Sequence, residues 1–398
     1  MQKTTLPQPD AEELAHSQKL ESLIREEIES QGPMPFSRFM ERCLYAPGLG
    51  YYSAGRHKFG AEGDFVTAPE LGDIFGRCLA HSFVPTLAYL GAGADIVELG
   101  GGSGALAQTL LLTLHQAGRL PRRYRMLEPS ADLRQRQQQR LQSALPAELM
   151  ARVEWLQRPP QESWYGILFA NEVIDALPTT RFSVHEGEVL EEHVRLDEAG
   201  RPQAADRPAD ALVAGAVRNL ERDLGEPFAD GYRSELLPQL PYWMQAIAGT
   251  LERGAMWFID YGYPRREFYH PERRDGTLIA HYRHRAHDDA LLWPGLQDLS
   301  ASVDFTAVAE AGNQAGFMVA SYLSQAQFLI ASNLEQIYSE MVIASSGDAD
   351  TYALSQQVKR LTLPGQMGER FQVMALAREL PREALPQDVL AASQGQRL

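Results

Sequence analysis

Ile96-Val97-Glu98-Leu99-Gly100-Gly101-Gly102-Ser103-Gly104-Ala105-Leu106-Ala107 is the stretch on which the reading of this chain turns. Residues 95–99 are apolar enough to predict a buried strand. Four of the next five residues are glycine. Without a Cβ the backbone can turn sharply there, and a ligand can come close to the main chain. Residues 105–116 then read as a helix, so the turn delivers its ligand to helix N–H groups that lack an intrahelical partner. Strand, glycine turn and helix N-terminus in that order point to a nucleoside-containing cofactor.

Around this step the pattern alternates. Strands are predicted at 124–128, 153–156 and 166–170, with a helix at 131–144 between the first two. Such alternation implies an α/β chain with a mostly parallel sheet, helices on both faces and right-handed connections. Further strands are predicted at 255–260, 317–322 and 371–376, with a helical segment at 324–345. Upstream, residues 17–30 carry Leu20, Leu23, Ile24 and Ile28 at helical spacing. A glycine- and aromatic-rich loop follows at 51–65, and one helix is predicted over 70–90. Residues 1–90 are thus expected to form a helical cover with a site loop, and 91–398 the cofactor-binding domain. An inserted substrate-side lobe is expected at about 180–250. It opens with a hairpin turning at Glu186-Gly187, and a Pro/Ala/Asp-rich surface loop is predicted at 201–211.

The chain has 398 residues, 44% of them hydrophobic, enough for a full core, and a formal net charge of −15. An acidic surface disfavours nucleic acid and anionic membranes as partners. The arginine clusters at 122–125 and 273–285 read as solvated loops. No run of about 18 apolar residues exists, so no membrane span is expected. Two cysteines, Cys43 and Cys78, exclude a disulfide framework and suit a reducing compartment. Asp10, Glu12 and Glu13 are unlike a mitochondrial presequence, and the expected location is cytoplasmic. His281, His284 and His287 recur every three residues, but interleaved arginines argue against a metal site, and no metal is expected.

Three constellations carry chemistry. Gly100-x-Gly102-x-x-Ala105 fits the dinucleotide fingerprint. Glu98-Leu99-Gly100-x-Gly102-x-Gly104 fits the first motif of class I S-adenosyl-L-methionine (SAM) methyltransferases. Glu98 separates the two readings, because an acid beside the turn suits a sulfonium and repels a pyrophosphate. Glu128, closing the next strand, can accept hydrogen bonds from vicinal ribose hydroxyls, with Pro129 and the N-cap Ser130 shaping the turn beside it. The third is Asn171-Glu172-Val173-Ile174-Asp175-Ala176-Leu177-Pro178. It places an amide and two carboxylates at the C-terminal end of an apolar strand, where ligands bind in open α/β sheets. An NAD(P)-dependent oxidoreductase using the same turn stays open at this point, as does a non-catalytic assembly factor.

These strings occur in order with Gly63-Asp64-Phe65-Val66-Thr67-Ala68-Pro69-Glu70, Asp260-Tyr261-Gly262 and Met367-Gly368-Glu369-Arg370-Phe371. Together they resemble the MidA family of SAM-dependent methyltransferases, whose mitochondrial members serve respiratory complex I assembly by methylating a protein arginine. The resemblance implies a class I methyltransferase Rossmann-like sheet, mostly parallel with seven strands, with an N-terminal helical cover and an α+β insertion. It implies SAM as cofactor and S-adenosyl-L-homocysteine as product. Glu98, Gly100, Gly102, Gly104, Glu128, Pro129 and Asn171 would bind the cofactor. Glu172, Asp175 and Asp64 would be catalytic, Glu172 first among them, with Thr67, Glu70 and Asp260 on the substrate side. The implied partner is a protein, a respiratory-complex subunit being one candidate, and a homodimer is compatible with the sequence. The chain departs from the family at Ser302, where a histidine is common.

Overall fold

The computed structural model describes residues 6–54 and 67–398. Their contacts gather into two units. One takes the described residues within Met1–Phe65, with Asp175–Gln239 and Arg265–Asp304; the other takes those within Val66–Ile174, with Leu240–Pro264 and Phe305–Leu398.

The second unit is built on a sheet of β1 (Asp95–Leu99), β2 (Tyr124–Leu127), β3 (Val153–Leu156), β4 (Trp164–Asn171), β5 (Leu251–Tyr263), β6 (Met318–Ser324) and β7 (Phe371–Arg378). Their spatial order is β6-β7-β5-β4-β1-β2-β3. Neighbours from β5 to β3 are parallel, while β7 runs antiparallel to both β5 and β6. All five residues of β1 are buried, as expected of a strand covered on both faces. Trp257, Phe169 and Phe83 fill the centre, with ring centroids 5.5 to 5.9 Å apart. Chain order reverses beside β1, which has β2 on one side and β4 on the other. That switch point opens the crevice where α/β sheets bind ligands.

Helices α1 (Asp73–Leu90), α2 (Ala105–Gln116) and α3 (Ala131–Ala144) belong to this unit. The single helix predicted over 70–90 is in fact two, Ala68–Leu71 and α1, because Gly72 sits between them at φ +140°. The segment predicted at 324–345 is likewise broken, into Gln325–Ala331 and Leu334–Ala344, at Asn333 with φ +64°.

In the other unit, helix Ala11–Gln31 starts on a capping box between Asp10 and Glu13 and buries Leu20, Ile24 and Ile28. Thr180–His185 and Glu188–Leu196 form the predicted antiparallel hairpin. Glu186 and Gly187 both have positive φ, as a two-residue turn of this kind requires. The loop predicted at 201–211 is corrected: Pro202–Pro208 is a strand paired with Glu188–Leu196. Its two prolines stand at the strand ends and it lies at the sheet edge, where a missing N–H is tolerated. Among the described residues no helix is long and apolar enough to cross a membrane.

Candidate active site

The glycine turn leaves β1 and enters α2. Gly100, Gly102 and Gly104 take φ of +63°, +51° and +84°, a region costly for any residue with a Cβ. Gly100 N–H donates to the Leu127 carbonyl at 3.1 Å, tying the turn to the end of β2. A Cβ on Gly100 would stand 2.9 Å from Val173 Cγ2, and one on Gly101 would collide with the Met126 methyl. Gly104 is the N-cap of α2 and supplies no side chain to its first N–H groups.

Glu128 is buried at the end of β2. Its Oε1 accepts from Ser130 N–H at 3.0 Å and its Oε2 from Gln137 Nε2 at 3.2 Å. Ser130 caps α3, as expected, by accepting from Leu133 N–H. The same Gln137 Nε2 donates to the Gly102 carbonyl at 2.9 Å, and Gln137 Oε1 accepts from Trp155 Nε1 at 2.9 Å. Reasoning from sequence missed Gln137. Its one signal was a polar side chain on the buried stripe Leu133, Gln137, Leu141 of α3.

Glu98 lies beneath the turn, 2% exposed, and accepts from the Tyr124 hydroxyl at 2.8 Å. Burial pushes its carboxyl up to about 8, and nearby Glu128 adds to the rise while Tyr124 opposes it. At neutral pH burial therefore favours the neutral form of this acid. A cation sharing the buried site would favour its ionised form.

At the adjoining strand end, β4 stops at Asn171 and Glu172 takes φ +55°. A glutamate in the left-handed region is strained, and such strain persists only where the surroundings over-determine it. Here Glu172 N–H donates to the Ile259 carbonyl at 2.8 Å. Asp260 Oδ2 then accepts from Ile174 N–H at 3.0 Å and Val173 N–H at 3.3 Å, while its Oδ1 accepts from Tyr261 N–H at 2.9 Å. Asp260, 1% exposed, is thus the clamp that shapes the turn carrying Glu172. Asn171 Nδ2 donates to Glu172 Oε1 at 3.1 Å, orienting that carboxylate.

The structure therefore brings Glu98, the glycines, Glu128, Asn171, Glu172 and Asp260 to one edge of the sheet. Pro129 is exposed beside Glu128. Thr67 caps the short helix Ala68–Leu71, and its carbonyl accepts from Glu70 N–H. Glu70 accepts from the Ser103 hydroxyl of the glycine turn, and Arg140 Nη1 donates to the same hydroxyl at 2.9 Å. Asp175 is buried in the other unit, where its carbonyl accepts from Ala301 N–H at 3.0 Å. Asp64 lies outside the described residues. A glycine turn at a helix N-terminus, flanked by the buried acids Glu98 and Glu128, fits a cofactor with a cationic sulfonium and a ribose diol.

Comparison with known proteins points to the same cofactor. A family model described as "Putative S-adenosyl-L-methionine-dependent methyltransferase" matches residues 78–323. Protein arginine methyltransferase NDUFAF7 homolog, mitochondrial, of Drosophila melanogaster is 29% identical, over 93% of this chain and 87% of that protein. The Homo sapiens protein arginine methyltransferase NDUFAF7, mitochondrial, is 28% identical, over 90% and 82%. A Burkholderia thailandensis protein crystallised with S-adenosyl-homocysteine superposes with TM-score 0.88 at 38% identity, covering 96% of this chain and 97% of that one. These matches overturn the expected cytoplasmic location, since the curated relatives are mitochondrial by name. Two cysteines without a disulfide do not single out one compartment.

Proposed function

The chain belongs to the S-adenosyl-L-methionine-dependent methyltransferase family, and from that premise we propose that it methylates an arginine side chain of a partner protein. The observation that carries the proposal is the strained, clamped Glu172 at the strand end adjoining the cofactor turn. A carboxylate matches the guanidinium fork and can hold it with two parallel hydrogen bonds. The names of the mitochondrial relatives support the same acceptor.

In this reading Gly100, Gly102 and Gly104 offer main chain to the cofactor's amino-acid end, Glu128 takes the ribose hydroxyls, and Glu98 faces the positive charge. Pro129 and Asn171 border the same pocket. When bound, S-adenosyl-L-methionine supplies an electrophilic methyl group on its sulfonium. The chain's own task is alignment, because in-line displacement needs little covalent help and much positioning. Glu172 orients the acceptor nitrogen and takes the proton that this nitrogen must lose. Asp175 and Asp64 are the further candidate acids. Asp260 keeps the Glu172 turn in place, and Thr67 and Glu70 flank the acceptor's approach. A respiratory-complex subunit is the candidate partner.

The test is Glu172→Gln. It should abolish turnover on the protein acceptor while S-adenosyl-homocysteine still binds within about threefold of the parent affinity. Mapping of methyl groups by mass spectrometry, on partner proteins from cells with and without the enzyme, should find the enzyme-dependent methyl on arginine. Full turnover by the variant removes Glu172 from the mechanism. Enzyme-dependent methyl groups confined to other residue types refute the acceptor, and none at all favours the assembly-factor reading.

A further inference from the structure

Gln137 is completely buried on α3, and the arrangement around its amide has one consistent orientation. Trp155 Nε1–H can only donate, so the atom 2.9 Å from it must be the amide oxygen. The amide nitrogen must then face the other two neighbours, and both are acceptors: the Gly102 carbonyl at 2.9 Å and Glu128 Oε2 at 3.2 Å. Both N–H bonds of one rigid planar group are thereby committed, one to the glycine turn and one to the acid at the end of β2. The turn also packs on this side chain. A Cβ on Gly104 would lie 3.4 to 3.6 Å from Gln137 Cα, Cγ and Cβ, and one on Gly101 would lie 3.3 Å from Gln137 Nε2.

We propose that Gln137 is a positioning residue that fixes the spacing between the glycine turn and Glu128, and so sets the affinity for the cofactor. The inference rests on the reading above, in which the turn and Glu128 hold opposite parts of one ligand. A ligand that bridges two separately mobile anchors must order both on binding, whereas anchors already joined through one amide are ordered beforehand. Gln137 touches neither reacting atom. It acts through Gly102 and Glu128, with Trp155 holding the amide the right way round.

Gln137→Met keeps the length and bulk of the side chain and removes all three hydrogen bonds. Isothermal titration of the purified full chain with S-adenosyl-homocysteine should show Kd raised about tenfold. Trp155→Phe removes only the bond that orients the amide and should raise Kd about threefold. The discriminating measurement is a double-mutant cycle with Glu128→Gln. If Gln137 acts by placing the Glu128 carboxylate, Gln137→Met should weaken binding less than about threefold in that background. A role confined to helix stability would instead lower the melting temperature of the free protein and weaken binding by the same factor in both backgrounds, which overturns the proposal. An unchanged Kd in Gln137→Met, with Glu128→Gln weakened, also overturns it and leaves the site reading intact. An unchanged Kd in Glu128→Gln sinks the site reading itself. Should Gln137→Met fail to fold, Trp155→Phe carries the test, and an unchanged Kd there refutes the proposal.

Discussion

Replacing Glu98 by glutamine separates what this acid does to the fold from what it does for the cofactor. In the folded chain burial pushes its carboxyl up to about 8, against an ordinary value of 4.5. Below the ordinary value the group is neutral in both folded and unfolded states and contributes no pH dependence. As pH rises from there, the unfolded chain ionises and the folded one does not. The native state then binds more protons, and stability falls with pH by up to about 1.4 kcal/mol per unit. The loss reaches roughly 3 kcal/mol by about pH 7 and levels off above the folded value. Glutamine keeps an oxygen for the Tyr124 hydroxyl and has no charge to desolvate. Its stability relative to the parent should therefore climb by roughly 3 kcal/mol between about pH 5 and pH 8 in chemical denaturation. A difference that stays flat across that window refutes the buried-acid account.

The cofactor should reverse the burial effect. S-adenosyl-L-methionine brings a net positive charge, and S-adenosyl-homocysteine does not. A cation close to Glu98 favours its ionised form, so binding near neutral pH should expel a proton, more with the sulfonium ligand than with the product. Titration calorimetry in buffers of different ionisation enthalpy measures this directly. Glu98→Gln should abolish the difference between the two ligands. Equal proton release by both ligands in the parent protein would remove Glu98 from the sulfonium's surroundings.

Glu172→Gly should leave the fold at least as stable, by up to about 1 kcal/mol, because glycine adopts the left-handed conformation without strain, while turnover is lost; urea melts that show a destabilised variant contradict the strain assignment. Asp260→Ala leaves the buried backbone donor at Ile174 and the part-buried donors at Val173 and Tyr261 without their acceptor and should cost about 2–3 kcal/mol. Asp260→Asn keeps one acceptor oxygen and should cost about half as much; equal losses would mean that the carboxylate does not clamp the turn. Cys43 and Cys78 are buried, and burial raises both thiols, Cys78 to about 12. Neither should react with a thiol-exchange reagent in the native protein near neutral pH, and both should react after unfolding; prompt native labelling at either position shows the packing to be wrong there.

Most of the sheet was legible because its strands are short apolar runs between turn signals, and the hairpin at Glu186-Gly187 was legible because two strand-like runs flank a two-residue link that ends in glycine. Errors fell where local composition competes with pairing. Pro202 to Pro208 looks like a loop in isolation, and only Glu188–Leu196 lying alongside makes it a strand. Gly72 and Asn333 each interrupt a helix whose periodicity runs on past them, so spacing alone hid the breaks.

The site divides along a different line. Glu98, Glu128, Asn171 and Glu172 were singled out because each carries chemistry a cofactor or an acceptor would need, and each stands within two residues of the end of a predicted strand. Gln137 is an ordinary glutamine in an arginine- and glutamine-rich helix, and its partners are Gly102 and Trp155, 35 and 18 residues away. Asp260 could be noticed as an acid closing a strand, but its hold on Ile174 spans 86 residues and depends on β5 lying beside β4. A group that holds another in place has no motif of its own, because any side chain with the right donors at that point in space would serve. What it does leave is a polar residue on a stripe that should be apolar. In α3 that mark is Gln137 between Leu133 and Leu141, and burial with its hydrogen bonds satisfied makes it a structural commitment rather than an accident of composition.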